Sequence, residues 1–331
     1  MEFTPELLRQ YAETLVEKRT REDYSVLAVY LTGSILTEQD PFLGGTTDID
    51  LVFVHVGDPE KNREFLPINE DVHYDFLHHP QRKYLDRISL RVDPLMGPIL
   101  SEAVVLYDPQ HFIDLTQASV RGLYYQRENV VLRAQTLSKT ARSKWFEFQP
   151  PPKTLGPSEI LAYLGILNSA ANAIALLVGE LLTERRFLIN LEQLSKKIGK
   201  PGFYPGFLGM LGAPQTDIDL LKGWTKDWEK DYKVISKNQA VPVLNPIRFN
   251  YYYKGFEHIL GGDQPVNILW ALLRTWTLMA GSFQENDKGF QNWKDAMRHL
   301  KLLDDGFAER LLALDALLDQ IENVIHHWDF S

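Results

Sequence analysis

The feature that most constrains this chain is a change of pattern at Asp108-Pro109. Before it, apolar runs of strand length recur: residues 24–32 (Tyr-Ser-Val-Leu-Ala-Val-Tyr-Leu-Thr), 49–56, 72–78 and 103–107. Acids, glycine or proline bound each run, which marks them as strands. The intervening segments 59–65 and 80–90 are expected to form short helices, giving a mixed αβ pattern. Ahead of the strands, Leu7, Leu8, Tyr11, Leu15 and Val16 fall at helical spacing, and Thr4 and Pro5 stand where an N-cap and a first helical residue belong. After Pro109 the periodicity is helical. One long helix is expected over 111–147, with a break near Gly122 and a stop at Pro150-Pro151-Pro152. Others fit 157–183, 191–198, 216–236, 265–281, 288–301 and 305–328. The stretches 199–214 and 238–264 read as loops, the second holding Tyr251-Tyr252-Tyr253. The expected fold class is therefore an α/β (α+β) module with a small mixed sheet over residues 1–110. An all-α helical domain follows over 111–331, with a Pro-rich break at 149–153.

Composition narrows the chemistry. The 331 residues are 44% hydrophobic, enough for a core in each of two domains, and none is cysteine. A thiolate nucleophile, a disulfide framework and Cys-ligated zinc or iron–sulfur sites are excluded, so any metal must rest on oxygen or imidazole ligands. Residues 1–110 carry 20 acids against 10 bases, while 111–148 carry three acids against six bases. The net charge of −9 argues against chain-wide binding to nucleic acid or anionic lipid. The opening Met-Glu-Phe-Thr-Pro-Glu has neither a positive n-region nor an apolar h-region, so the expectation is a cytoplasmic protein without a signal peptide. The one stretch long enough to span a bilayer, 160–182, contains Asn168, Ser169, Asn172 and Glu180, which suits a helix buried among helices better than lipid.

The most specific local signal is Leu31-Thr32-Gly33-Ser34, then thirteen residues, then Asp48-Ile49-Asp50-Leu51-Val52. A glycine at a strand end lets the backbone approach a ligand closely, and adjacent N–H groups with the Ser34 hydroxyl can bind phosphate oxygens. Asp48 and Asp50 are two apart on a strand and so point to one face. Converging carboxylates repel unless a cation lies between them, and hard oxygen ligands select Mg²⁺ or Mn²⁺. Asp75 stands in the otherwise apolar run Val72-His73-Tyr74-Asp75-Phe76-Leu77, where an unpartnered charge is disfavoured, and is the candidate third ligand. Two metals held this way could clamp an in-line displacement at phosphorus.

The Gly-Ser, spacer, Asp-hydrophobic-Asp pattern resembles the DNA polymerase β-like nucleotidyltransferase superfamily. Within it, the closest type is the aminoglycoside and minimal nucleotidyltransferases, over roughly residues 25–110. The resemblance implies a nucleotidyltransferase fold for the first module and contacts from Gly33 and Ser34 to nucleotide phosphates. It further implies two Mg²⁺ held by Asp48 and Asp50, and Asp75 as third ligand and candidate base. ATP or another NTP would be the substrate, with AMP from ATP the expected transfer to a hydroxyl and pyrophosphate released. In aminoglycoside adenylyltransferases a helical C-terminal domain completes the substrate cleft, an order similar to this one. The acceptor is open between a small molecule and a protein side chain. The acidic first module suits a cationic small molecule better than RNA. A catalytically inactive nucleotide-binding or regulatory protein on the same fold is the alternative, and a transferase acting on nucleic acid is the weaker third reading.

Other features have plainer explanations. Asp75 could instead pair with Arg82, Lys83 or Arg91. Arg121, Arg127 and Arg133 could meet a triphosphate and Glu128 could act as a base, but a solvated helix face accounts for all four. His78-His79 and His326-His327 read as surface or core histidines. The series Leu311, Leu314, Leu317, Leu318, Ile321 and Ile325 reads as helix packing.

Overall fold

The computed structural model describes residues 3–328 apart from 180, 239–240 and 304–305. The chain forms two compact units, Met1–Asn129 and Val130–Ser331.

The first unit is a five-stranded mixed sheet with helices on both faces. Helix α1 (Pro5–Glu22) opens with Thr4 as N-cap, its Oγ1 accepting from the Leu7 amide at 3.2 Å, and with Pro5 where a missing N–H costs nothing. Then come β1 (Val26–Thr32), the one-turn helix α2 (Ser34–Thr37), β2 (Thr47–His55), β3 (Arg63–Pro67) and β4 (Val72–Pro80). Helices α3 (Arg87–Val92) and α4 (Met96–Glu102), strand β5 (Val104–Tyr107) and helix α5 (Phe112–Arg121) complete it. The sheet order is β3-β4-β2-β1-β5; β2 and β4 run parallel and every other pair antiparallel. One face packs Val29, Leu31, Ile49, Leu51, Phe53, Tyr74 and Phe76 under Leu8, Ala12 and Val16 of α1. The other packs Ala28, Tyr30, Val52 and Val54 against Leu90, Leu100, Ile113 and Val120 of α3, α4 and α5. A strand covered on both faces has no polar alternation, which is why β1 and most of β2 read as continuous apolar runs.

Helix α6 (Arg127–Glu147) leads into the second unit, which is all helical: α7 (Pro157–Ala175), α8 (Phe187–Lys197), α9 (Phe203–Met210), α10 (Ile218–Ile235), α11 (Phe249–Leu260), α12 (Leu269–Ala280), α13 (Lys288–His299) and α14 (Gly306–His326). The stretch expected to be too polar for lipid is largely α7, buried along most of its length, with Asn172 Oδ1 accepting from the Leu182 amide at 2.9 Å. Glu180, part of that expectation, lies outside the described residues. Among the described residues no helix is long and apolar enough to cross a membrane. Three indole N–H groups tie the interior together: Trp228 donates to Thr275 Oγ1, Trp293 to Thr277 Oγ1 and Trp276 to Asp231 Oδ2. The leucine and isoleucine series of α14 is buried, as packing requires.

Three expectations are corrected. Residues 63–67, which overlap the segment 59–65 expected to be helical, form edge strand β3; its charged side chains are tolerated because one edge and part of one face meet solvent. The stretch 199–214 contains α9, where burial of Phe203, Tyr204, Phe207 and Met210 overrides two internal glycines. Pro205 fits because it stands in the first turn, whose N–H groups have no intrahelical partner. Tyr251-Tyr252-Tyr253 lies in α11 rather than a loop, with Tyr252, Phe256 and Ile259 buried at spacings of four and three.

Candidate metal centre

Strand β1 ends at Thr32 and the chain turns through Gly33, whose φ of 83° and ψ of −163° lie in a region open essentially to glycine alone. One turn of helix follows, closed by Leu36 N–H on Gly33 O at 3.0 Å. The chain returns through a tight turn in which Leu43 and Thr46 exchange backbone hydrogen bonds around Gly44 and Gly45, both at positive φ. Much of the thirteen-residue spacer is thus spent on one helical turn and one β-turn, and β2 begins at once with Thr47.

Asp48 and Asp50 share a face of β2, as strand alternation requires. The parallel pairing of β2 with β4 sets Asp50 directly beside Asp75, and Asp48 beside His73. On the other side of β2, Asp50 is opposite Thr32, immediately before Gly33. Each of the three aspartates offers a carboxylate oxygen within 4.8 Å of the other two. Asp48 and Asp75 are buried and Asp50 is half-buried. Among the described residues this is the one group of three or more acidic or imidazole side chains gathered closely enough to hold a metal ion.

Gly33 lies against this group, and the residue after it, Ser34, carries an unsatisfied hydroxyl. A Cβ on Gly33 would stand 1.9 Å from Asp50 Oδ2, so the backbone passes directly against that carboxylate. Ser34 Oγ is buried without a hydrogen-bond partner, and an orphaned buried hydroxyl is an unmet demand for a ligand or water. The donors fit a hard divalent cation: all are carboxylate oxygens, no softer ligand intrudes, and the mutual repulsion of the acids favours a positive charge among them.

Sequence reasoning missed Arg63. From β3, its Nε donates to Asp75 Oδ1 at 2.8 Å and its second guanidinium nitrogen to Oδ2, a bidentate fork. Arg82 pairs with Asp58 instead, and Arg91 donates to the Ser119 carbonyl. The signal was the turn at Ile68–Asp71, where Asn69 Oδ1 accepts from the Asp71 and Val72 amides at 2.8 Å each. A hairpin centred there brings 65 opposite 75, and 63 two residues along on the same face.

The remaining candidates have surroundings of their own. Arg121 donates to the carbonyls of Ser101 and Ala103, Arg133 is fully buried in α6, and Glu128 is exposed. His78 is a partly buried histidine whose Nδ1 meets His55 Nε2 at 3.0 Å, and burial pushes both rings below the usual imidazole range. His79 Nδ1 meets the Tyr84 hydroxyl at 2.6 Å, while His326 and His327 are exposed.

No protein-family model matches the chain, and no curated protein matches it. Among solved structures, the chain is similar to a nucleotidyltransferase-like protein from Exiguobacterium sibiricum 255-15. The alignment covers 93% of this chain and 91% of that one at 12% identity, with a TM-score of 0.26. At that score the superposition adds nothing to the fold or the site, which stand on the geometry of the chain itself.

Proposed function

We propose that the chain is a divalent-metal-dependent nucleotidyltransferase that moves a nucleoside monophosphate, AMP from ATP in the expected case, to an acceptor hydroxyl and releases pyrophosphate. The observation that carries this reading is the convergence of Asp48, Asp50 and Asp75 within 4.8 Å beside Gly33. The resemblance of the Gly-Ser and Asp-x-Asp pattern to the polymerase β-like superfamily supports it. The three aspartates would hold two Mg²⁺, which supply charge neutralisation at the transferring phosphorus and an activated acceptor oxygen. Ser34 Oγ donates to a phosphate oxygen, meeting its own unfilled hydrogen bond. Gly33, lacking a side chain, leaves room for the phosphates against the Asp50 carboxylate. The acceptor oxygen bonds to the α-phosphorus, the bond to the pyrophosphate oxygen breaks, and an Asp75 oxygen released from Arg63 takes the hydroxyl proton. The acidic first module favours a cationic small molecule as acceptor over RNA, with a protein hydroxyl the other acceptor class.

A second reading, a nucleotide-binding protein without transferase activity, is favoured by one observation: the fork of Arg63 occupies both oxygens of the third carboxylate. Incubation with α-labelled ATP, Mg²⁺ and a panel of acceptors separates the two. Label appearing on an acceptor, lost in Asp50→Asn, supports the transferase. Metal-dependent ATP binding without transfer supports the second reading. ATP binding unchanged in Asp48→Ala and Asp50→Ala removes the assignment of the site.

A further inference from the structure

We infer that Arg63 is an internal counter-cation that closes the acidic centre when no metal is bound, and that a divalent ion enters by displacing its guanidinium from Asp75. The inference rests on the metal reading above and deepens it. Three carboxylates within 4.8 Å, two of them almost fully buried, are a costly arrangement for a protein without a cation there. The fold answers with a guanidinium from the neighbouring strand. Its two donors take the facing lone pairs of both Asp75 oxygens, the strongest geometry an arginine has for a carboxylate.

A small divalent ion demands oxygen ligands at ~2.0–2.1 Å in a near-octahedral shell, and the fork leaves it only the outward lone pair of each Asp75 oxygen. Guanidinium and ion also repel each other across the same carboxylate. Occupancy of Asp75 is therefore an exchange: one cation leaves as the other arrives. Arg63 is placed to make it. β3 is an edge strand with only β4 beside it, the Arg63 side chain is 31% exposed, and its guanidinium lies 5.0 Å from the face of the Phe65 ring. Withdrawal toward solvent breaks no strand pairing, because the backbone of β3 keeps its ladder to β4.

A residue that merely braced Asp75 would strengthen metal binding, whereas a counter-cation weakens it, so the sign of one measurement decides. Mn²⁺ serves as the probe, with binding to the full-length chain followed by the paramagnetic resonance of the free ion and by thermal melting. Arg63→Gln is expected to bind Mn²⁺ tenfold or more tightly than the wild-type chain, about 1.4 kcal/mol. It should also melt lower than wild type without metal and gain more from saturating Mn²⁺. Arg63→Lys, which keeps the charge but loses the fork, should fall between them and covers the case in which the glutamine variant fails to fold. If both variants bind Mn²⁺ as weakly as the wild type, or more weakly, Arg63 does not compete with the ion and the inference is overturned while the metal reading stands. If none of these proteins binds Mn²⁺ differently from Asp50→Asn, the metal reading itself falls.

Discussion

Gly33→Ala tests the closest contact in the centre. Two costs follow from the structure. The residue has φ 83° and ψ −163°, a conformation that costs a side-chain-bearing residue about 1–3 kcal/mol. The new Cβ would also lie 1.9 Å from Asp50 Oδ2 and 2.7 Å from its Cγ, so the carboxyl must swing away or β1 must back off. Overpacking of this kind adds about 1–3 kcal/mol. The control is Gly45→Ala, at φ 74° with nothing within 4 Å of the added methyl, which carries the cost of positive φ without the clash. In urea unfolding, Gly33→Ala should lose about 2–6 kcal/mol and Gly45→Ala about 1–2. Mn²⁺ affinity should separate them further, because only the first displaces Asp50. Equal Mn²⁺ binding by both variants, or a Gly33→Ala chain as stable as wild type, would refute the placement of Gly33 against the carboxylate.

Ser34→Ala removes a buried hydroxyl that has no partner, so melting should be unchanged or slightly raised, while Mn²⁺-dependent nucleotide binding, read by calorimetry, should weaken. In the second unit, burial pushes the Asp231 carboxyl up to about 6, against a hydrogen bond from Trp276 at 2.8 Å. A raised carboxyl stabilises the fold only when protonated, so its contribution is present below about pH 4 and is lost as pH rises through about 6. Asp231→Asn should therefore gain stability at pH 7.5, up to about 3 kcal/mol, and the gain should shrink as pH falls below 6. Tryptophan fluorescence reads this locally, since all seven tryptophans lie at 145 or beyond. His79 has the opposite sign: burial, helped by Lys83 and His78, lowers it to about 4, so its share of stability is lost as pH falls from about 6.5 toward 4. Titration of its ring resonances should find it neutral at pH 5.5; a protonated ring there would contradict the burial of the β4 end.

The elements most legible in the sequence were those whose signals are local. α1 announced itself through Thr4, Pro5 and its apolar spacing, and β1 and β2 through runs that only a strand covered on both faces would carry. Asp48 and Asp50 could be placed on one face by alternation alone. What stayed hidden was pairing. Charge alone could not choose among the cations near Asp75, because Arg63 meets it through strand register and not through sequence proximity. β3 was obscured by Glu60, Lys61, Arg63 and Glu64, which look like the solvated face of a helix but lie in or just before an edge strand. α9 and α11 were obscured by glycine, proline and a tyrosine run, and are helical because their aromatic faces are buried.

The convergence of the three acids is a consequence of core packing rather than of any attraction among them. Ile49, Leu51 and Phe53 of β2 and Val72, Tyr74 and Phe76 of β4 face α1, and the residues between them face the other way. The pairing of Asp50 with Asp75 belongs to the same ladder as Ile49 with Tyr74, Leu51 with Phe76 and Val52 with Leu77. Sliding β4 by one residue would turn Asp75 into the layer under α1 and bring Tyr74 and Phe76 out of it, burying a charge among aliphatic side chains. The repulsion among the three carboxylates, by contrast, is one that Arg63 or a metal can offset. The apolar half of the sheet therefore holds the acidic half in register, with the acids in the N-terminal halves of β2 and β4. A centre positioned this way should tolerate conservative change at the acids, Asp50→Asn among them, with the fold intact, whereas a polar residue in place of Leu51 or Phe76 should loosen the register and the site together.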